Sequence, residues 1–189
     1  GLTFASTLRS ILRQDPDIIM VGEIRDTETA QIAIRAALTG HLVLSTLHTN
    51  DATSSITRLM DMGIPSYLVS ATINGVVAQR LVRRLCNGCK QQYEPGLEEQ
   101  KILDLGENKK LYKPGECSEC NYTGYRGRLA VQEVLVLDDE LRDMVVEEED
   151  EQQLKRTAIE KGMTTLKQDG INKVVKGLTS YKEMAKIIV

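Results

Sequence analysis

Residues 15–23 read Asp15-Pro16-Asp17-Ile18-Ile19-Met20-Val21-Gly22-Glu23, and this stretch decides the fold. Pro16 disfavours helix at the residue before it, so the helical pattern that opens the chain ends there. The apolar run that follows, 18–21, is typical of a buried parallel strand. A helical pattern then extends through Leu38 and stops at Gly40, and a second apolar run covers 42–46. Strand, helix and strand at this spacing predict an α/β fold built on a parallel sheet.

Residue composition and hydrophobic periodicity divide the chain into three segments. Residues 1–85 carry the strand and helix pattern, and 86–126 are rich in Cys, Gly, Glu and Lys with little periodicity. Residues 127–189 combine one alternating strand, interrupted by Glu133 on its apolar face, with helical patterns. We therefore expect three parts: an α/β domain, a metal-binding element, and a strand followed by a C-terminal helical lobe.

Length and charge narrow the classes of function. The chain has 189 residues and a net charge of −3, so it lacks a general field that would attract nucleic acid. Its longest uncharged stretch, 62–79, is too short and too polar for a membrane-spanning helix. No basic segment followed by an apolar run opens the chain, which predicts that no secretory signal is present. We expect a piece of a longer cytoplasmic protein.

Glu23 follows the first apolar run, with only Gly22 between them. Ligands of open α/β sheets bind at the edge where the strands end, so this carboxylate is a candidate site residue. In ATPases, a carboxylate there helps to hold Mg²⁺ or orients the water that attacks the γ-phosphate. The alternative is a surface glutamate that merely ends a strand, and the spacing alone does not separate the two.

Residues 40–51 place hydroxyl groups, an imidazole and an amide after the second apolar run. Neighbouring parallel strands predict that this exit lies beside Glu23. A hydroxyl or imidazole at this edge can hydrogen-bond the γ-phosphate or the attacking water. For His48 the alternative is a capping or core histidine. The only two histidines of the chain, His41 and His48, both flank this strand, which favours the functional interpretation.

The four cysteines form two pairs, Cys86-x-x-Cys89 and Cys117-x-x-Cys120, separated by 27 residues. Four thiolates at this spacing predict a closed tetrahedral Zn²⁺ site, and a closed shell leaves no position for catalysis, so the metal would be structural. The alternatives are disulfides, for which no sign of an oxidising compartment exists, and a redox motif, which would not be expected twice.

Basic residues border both cysteine pairs, and a zinc ribbon beside arginines can bind nucleic acid. The acidic net charge argues against that interpretation, so we predict no nucleic-acid partner. The residues concerned are Arg80, Arg83, Arg84 and Lys90 near the first pair, and Arg126 and Arg128 near the second.

Segments 12–17, 22–26 and 40–51 together resemble the Walker B and histidine boxes of the type II secretion and type IV pilus assembly ATPase family. The resemblance implies a RecA-like three-layer parallel sheet, present here in part, and a homo-hexamer that uses ATP and Mg²⁺. The cysteine pairs extend it, since members that act in assembly or secretion carry such an element, unlike most retraction ATPases. The alternatives are a retraction or DNA-uptake motor and a catalytically dead, zinc-dependent adaptor.

The same resemblance implies roles for individual residues. Glu23 corresponds to the catalytic Walker B glutamate. Thr46 and His48 correspond to γ-phosphate sensors, and Arg25 to a structural partner near the nucleotide. His41 matches the opening of the histidine box, and its role stays open.

The resemblance also implies a cellular role: ATP hydrolysis drives an inner-membrane platform protein that extracts pilin subunits, so the motor works at the inner face of the cytoplasmic membrane. The phosphate-binding loop Gly-x-x-x-x-Gly-Lys-[Ser/Thr] (Walker A) does not occur in the 189 residues. The family places this loop upstream of the segment that matches here. We therefore expect this chain alone neither to bind ATP well nor to hydrolyse it.

Overall fold

The computed structural model describes residues 4–104 and 109–188. The chain forms two compact units, which we call unit 1 (Gly1–Val77 and Val134–Met163) and unit 2 (Ala78–Glu133 and Thr164–Val189). The division after residues 85 and 126, expected from motifs and composition, stays a prediction. In chain order the elements are α1 (Phe4–Leu12), β1 (Ile18–Val21), α2 (Thr27–Leu38), β2 (Leu42–Ser45), α3 (Thr53–Asp61), α4 (Ser66–Thr72), β3 (Gly75–Leu85), β4 (Gln91–Tyr93), α5 (Leu97–Ile102), β5 (Leu111–Lys113), β6 (Tyr125–Val136), α6 (Asp139–Val146), α7 (Glu151–Glu160), α8 (Leu166–Val175) and α9 (Tyr181–Ile188).

Strands β1 and β2 of unit 1 pair in parallel, with α2 as the crossover between them. Ile18 lies opposite Leu42 and Val21 opposite Ser45, so the two strands end side by side. Asp26 accepts a hydrogen bond from the Thr29 N–H at 2.7 Å and thereby fixes the start of α2. The parallel pair that the apolar runs predicted is confirmed.

Only one face of this two-stranded sheet is covered by the described residues. Side chains of α1 and α2 pack on that face, with a core of Leu8, Ile19, Val21, Ile32 and Ala36. The opposite face carries Ile18, Met20, Leu42 and Leu44, which are 61%, 81%, 49% and 46% exposed. The expectation of buried strands is therefore wrong for this face, because α1 and α2 cover only the other one.

Helices α3, α4, α6 and α7 complete unit 1. Polar contacts fix their packing: Thr57 of α3 donates to Glu151 of α7 at 2.8 Å, and Arg142 of α6 hydrogen-bonds the Ser70 carbonyl of α4. Helices α6 and α7 confirm two of the helical patterns predicted within residues 127–189.

In unit 2, β4 and β5 form an antiparallel pair that shares a core with α8 and α9. The central residues of that core are Leu103, Leu111, Val174 and Met184, each at most 2% exposed. Gly170 of α8 faces Met184 so closely that any larger side chain would collide with it. The chain between the two cysteine pairs therefore packs against the C-terminal helices.

Strands β3 and β6 are hydrogen-bonded neighbours. The N–H of Cys86 donates to the Gly124 carbonyl at 3.0 Å, where β3 ends and β6 begins. In β6 the side chains of Val131, Glu133 and Leu135 are buried, which confirms the alternating strand predicted within residues 127–189. Glu133 is accommodated because its carboxylate accepts the N–H of Leu166 at 3.2 Å.

Candidate functional site

The segments that follow β1 and β2 are tied together at the carboxyl edge of the sheet. The N–H of Ile24 donates to the Thr46 carbonyl at 3.0 Å. The Thr46 hydroxyl donates in return to the Gly22 carbonyl at 2.7 Å. These two bonds extend the β1–β2 ladder past the strands and fix the backbone on both sides of Glu23.

The Glu23 carboxylate is held between two basic side chains. Arg25 approaches Oε2 with both Nε and Nη2, each at 2.6 Å. Nε2 of His48 lies 2.8 Å from Oε1, which is within ion-pair and hydrogen-bonding distance. The Glu23 side chain is 20% exposed, whereas those of Arg25 and His48 are 77% and 88% exposed. Solvent therefore reaches both partners, and an incoming anion can compete for them.

The structure thus brings together the four residues that the sequence singled out at this edge, Glu23, Arg25, Thr46 and His48. Thr46 contacts the backbone carbonyl of Gly22 and not the Glu23 side chain. Carboxylate oxygens are the ligands that Mg²⁺ prefers, and hydroxyl, imidazole and guanidinium groups donate to phosphate oxygens. The catalytic and sensing roles of the four residues stay predictions.

His41 lies at the other end of β2. Its ring Nδ1 is 3.0 Å from the Ala36 carbonyl oxygen and 3.1 Å from the Thr39 hydroxyl. Its backbone N–H also donates to the Ala36 carbonyl. These contacts satisfy the Ala36 carbonyl group near the end of α2, as a capping residue does. His41 therefore has a local structural explanation, and its distance along β2 separates it from Glu23.

The four cysteine sulfurs converge on one point in unit 2. All four Sγ atoms lie within 4.8 Å of one another. The pairs Cys86–Cys117, Cys89–Cys120 and Cys117–Cys120 are separated by 3.8, 3.7 and 3.7 Å. A tetrahedral ion with metal–sulfur bonds of about 2.3 Å requires sulfur–sulfur edges of about 3.8 Å. The arrangement fits a single tetrahedral metal, and no cysteine among the described residues forms a disulfide.

The backbone around the second pair supports this geometry. The N–H of Gly124 donates to Sγ of Cys120 at 3.2 Å. Gly124 has φ of +75° and faces the backbone of Gly115 too closely for any side chain, so only glycine fits this turn. Burial opposes ionisation of Cys120, but the Cys117 backbone and the Gly124 N–H outweigh it and lower the pKa of Cys120 to about 6. Burial and the neighbouring thiols raise the pKa of Cys89 to about 12, so metal binding would release protons.

Sequence reasoning missed the partner of Arg83, which it grouped with the other basic residues. Nη2 of Arg83 lies 2.8 Å from Oε1 of Glu183, and the Arg83 N–H donates to Oε2 at 3.1 Å. The guanidinium also stacks 4.0 Å above the Tyr125 ring. Lys186 contacts the same carboxylate at 2.6 Å. A separation of 100 residues left no local signal that could have revealed this pair.

No helix in the described ranges 4–104 and 109–188 combines the length and the hydropathy needed to cross a bilayer.

Comparison with known proteins matches nearly the whole chain. Residues 1–186 match the model of a family described as "Type II/IV secretion system protein". The chain is 52% identical over 188 residues to the type IV pilus assembly ATPase PilB of Thermus thermophilus, covering 97% of this chain and 21% of that protein. It is 50% identical over 186 residues to the type II secretion system protein E of Dickeya dadantii, covering 98% of this chain and 37% of that protein.

Two solved structures share the fold. The chain is similar to the Legionella pneumophila ATPase DotB, with a TM-score of 0.67 and 27% identity over 98% of this chain and 42% of that one. It is also similar to the pilus retraction motor PilT with bound ADP, with a TM-score of 0.68 and 28% identity over 98% of this chain and 43% of that one. The structure is accordingly mixed α/β, as predicted, and resembles these ATPases. The chain spans about a fifth to two fifths of the length of the curated relatives described above.

Proposed function

The chain belongs to the type II/IV secretion system protein family, and on that premise we propose that it forms part of a motor ATPase. In the whole protein, ATP hydrolysis would power the assembly of pilin or pseudopilin subunits in type IV pilus biogenesis or type II secretion. One observation carries the proposal: at the carboxyl edge of the β1–β2 sheet, Glu23 is within hydrogen-bonding distance of His48. A RecA-like domain, present here in part, would bind its nucleotide at this edge.

In this proposal Glu23 is the catalytic carboxylate. Its hard oxygen atoms suit either Mg²⁺ or the water that attacks the γ-phosphate. When Mg²⁺ and ATP are bound, the ion would neutralise charge that develops on the phosphates. Arg25 and His48 occupy both oxygens of the carboxylate in the described structure, so one of them would have to move before Glu23 acts on water.

Thr46 and His48 are the proposed γ-phosphate sensors. The exposed imidazole of His48 can exchange its bond to Glu23 for a bond to a phosphate oxygen. Such an exchange would free Oε1 of Glu23 when nucleotide arrives. Thr46 would report the same event to β1, because its hydroxyl holds the Gly22 carbonyl next to Glu23. Arg25 would hold the carboxylate in place from its other side.

We further propose that the four cysteines bind a structural Zn²⁺. The sulfur–sulfur distances near 3.7 and 3.8 Å support a closed tetrahedral site. The resident ion would supply no chemistry to hydrolysis. It would hold together the turns before β4 and before β6, and with them the core that β5 shares with α8 and α9.

A homo-hexamer, an inner-membrane platform protein and a location at the cytoplasmic face of the membrane complete the proposal. The exposed apolar face formed by Ile18, Met20, Leu42 and Leu44 supports burial against further protein, because a patch of this kind is unfavourable in water. The relatives, named as a type IV pilus assembly ATPase and a type II secretion system protein, support a role in such a machine.

A second candidate is a retraction or DNA-uptake motor of the same superfamily, which the similarity to PilT favours. The tetracysteine cluster argues for assembly or secretion. A third candidate, a catalytically dead, zinc-dependent adaptor, would be favoured if substitutions of Glu23 left the function of the whole protein intact.

The test is steady-state ATP hydrolysis by the full native chain that contains these residues, compared with its Glu23→Gln variant. We expect kcat to fall by about 10²–10⁴-fold, the usual contribution of a positioned acid or base. Glu28→Gln is the matched control, because Glu28 lies in the same unit on α2 and pairs with Arg9 instead. Equal turnover in the Glu23→Gln variant, or none in either protein with Mg²⁺ present, would support the adaptor.

A further inference from the structure

The loop that carries His48 connects β2 to α3 and is fastened at both ends. Its first end is fixed at the Glu23 edge, through the bond from Thr46 to Gly22. At its second end the Thr49 hydroxyl contacts the Asp51 carbonyl at 3.2 Å and the Ser55 hydroxyl at 2.8 Å. The position of His48 therefore depends on how firmly each end is held.

Asp51 is the anchor at the second end. Its Oδ1 accepts the Ser54 N–H at 2.9 Å, and its own N–H donates to the Ser54 hydroxyl at 3.2 Å. This reciprocal pair satisfies donors at the first turn of α3. The carboxylate is only 19% exposed, so its second oxygen needs a partner.

Helix α7 supplies that partner, from more than 100 residues further along the chain. Nζ of Lys155 lies 2.5 Å from Oδ2 of Asp51. One turn earlier, Glu151 accepts the Thr57 hydroxyl of α3 at 2.8 Å. Partial burial disfavours the charged form of Asp51, yet Lys155 and Ser54 lower the pKa of its carboxyl group to about 2. Both contacts lie within unit 1.

We propose that Lys155 is a positioning residue for the nucleotide-sensing loop, acting through Asp51 to keep His48 beside Glu23. The inference rests on the function proposed above, because His48 affects turnover only if a nucleotide binds at this edge. Without the Lys155 ammonium, a largely buried carboxylate would lose its charge partner and turn toward water. The loop between Thr46 and Asp51 would then sample more conformations, and His48 would spend less time within reach of Glu23.

Steady-state ATP hydrolysis in the full native chain tests this role. We expect Lys155→Met to lower kcat by about three- to fivefold, the effect of one partly exposed ion pair. KM for ATP should stay within about twofold, because the phosphate loop that the family resemblance implies would supply most of the binding energy. Lys155→Arg keeps the charge and should recover most of the loss.

Lys161→Met is the matched control. Lys161 caps the other end of α7 and pairs with Asp138 and Glu140, each at 2.6 Å. Its side chain is 33% exposed, against 34% for Lys155. A general loosening of α7 would affect both variants equally. The positioning role predicts that only Lys155→Met lowers kcat.

Amide hydrogen exchange of a peptide that covers residues 46–52 gives a readout independent of turnover. Faster exchange in Lys155→Met than in the unchanged protein, with no change in Lys161→Met, is the expected result. Equal exchange in all three proteins would overturn the proposal, and so would an equal loss of kcat in both variants. If the unchanged protein hydrolyses no ATP but the exchange difference is present, the proposed function fails and the role of Lys155 in positioning the loop stands.

Discussion

The Glu23 edge and the cysteine cluster are two polar centres with opposite construction. At the edge, an anionic side chain meets two basic partners that are 77% and 88% exposed, and each bond can be exchanged for one to a ligand. In the cluster, four thiols face one another, and Cys86 and Cys120 are buried. A ligand can therefore displace the exposed partners at the edge, whereas the converging thiols are suited to enclose one ion.

Because of this contrast, we expect substitutions at the two centres to have different effects. Changes at the edge should alter turnover with little effect on folding, because the side chains there contribute few buried contacts. Changes in the cluster should alter folding first, because structural metal binding is coupled to the folding free energy. Variants that reverse this pattern would contradict the assignment of the two centres.

The largest effect is expected for Cys117→Ser in the full native chain. Structural zinc sites contribute about 10–16 kcal/mol of apparent binding free energy in small zinc-finger peptides. We expect the variant to lose its zinc and unit 2 to lose its cooperative thermal transition, measured by metal analysis and calorimetry. Ser118→Ala, in the same turn, should keep both. Full retention of zinc and of the transition in Cys117→Ser would refute the closed four-thiolate site.

A smaller effect is expected for substitutions of the two histidines, which test the role of the Glu23 edge. His48→Ala should reduce kcat for ATP by about 10²-fold, as when one donor to a transition-state oxygen is removed. His41→Ala should leave kcat unchanged, because His41 caps α2 at the far end of β2. The thermal transition should be closely similar in His48→Ala and in the unchanged protein. If the two variants lost activity equally, His48 would not be a sensor.

The smallest effect concerns Glu183 in unit 2. The hydrogen bond to Arg83, opposed by burial and supported by Lys186 and the Arg83 N–H, lowers the pKa of Glu183 from 4.5 to about 2. The ionised carboxylate therefore stabilises the fold fully above about pH 4.5, and this contribution is lost as the pH falls toward about 2.

We expect Glu183→Gln to reduce the free energy of unfolding at neutral pH by about 1–2 kcal/mol, after allowance for solvent screening at the half-exposed Arg83. Urea unfolding at neutral pH and at about pH 3 measures it. The difference between the variant and the unchanged protein should shrink at the lower pH, and Glu98→Gln, an exposed change on α5, should show none. A difference that grew in acid would contradict the sign of this pKa shift.

The sequence predicted those parts of the molecule that leave a local signal. Apolar runs at residues 18–21 and 42–46 indicated β1 and β2, and parallel pairing put Glu23 and His48 at one edge, as the structure has them. The spacing of the cysteine pairs likewise predicted their convergence. In each case, residues close in the chain, or at the ends of neighbouring strands, determine the contact.

Other features leave no such signal. An apolar run does not reveal which face of a strand is covered, so the exposure of Met20 was not foreseen. The three-residue strands β4 and β5 are too short for a periodic pattern. The pairs Arg83–Glu183 and Asp51–Lys155 join residues about 100 positions apart, and only tertiary packing brings them together.

The most direct test of the motor assignment is the identity of the nucleotide that stays bound after the full native chain is incubated with Mg²⁺ and ATP. If Glu23 activates the attacking water, the unchanged protein should retain mainly ADP, whereas Glu23→Gln should bind nucleotide equally well and retain mainly ATP. Retention of ADP by both proteins, formed at equal rates, would contradict the catalytic role of Glu23 and with it the central claim.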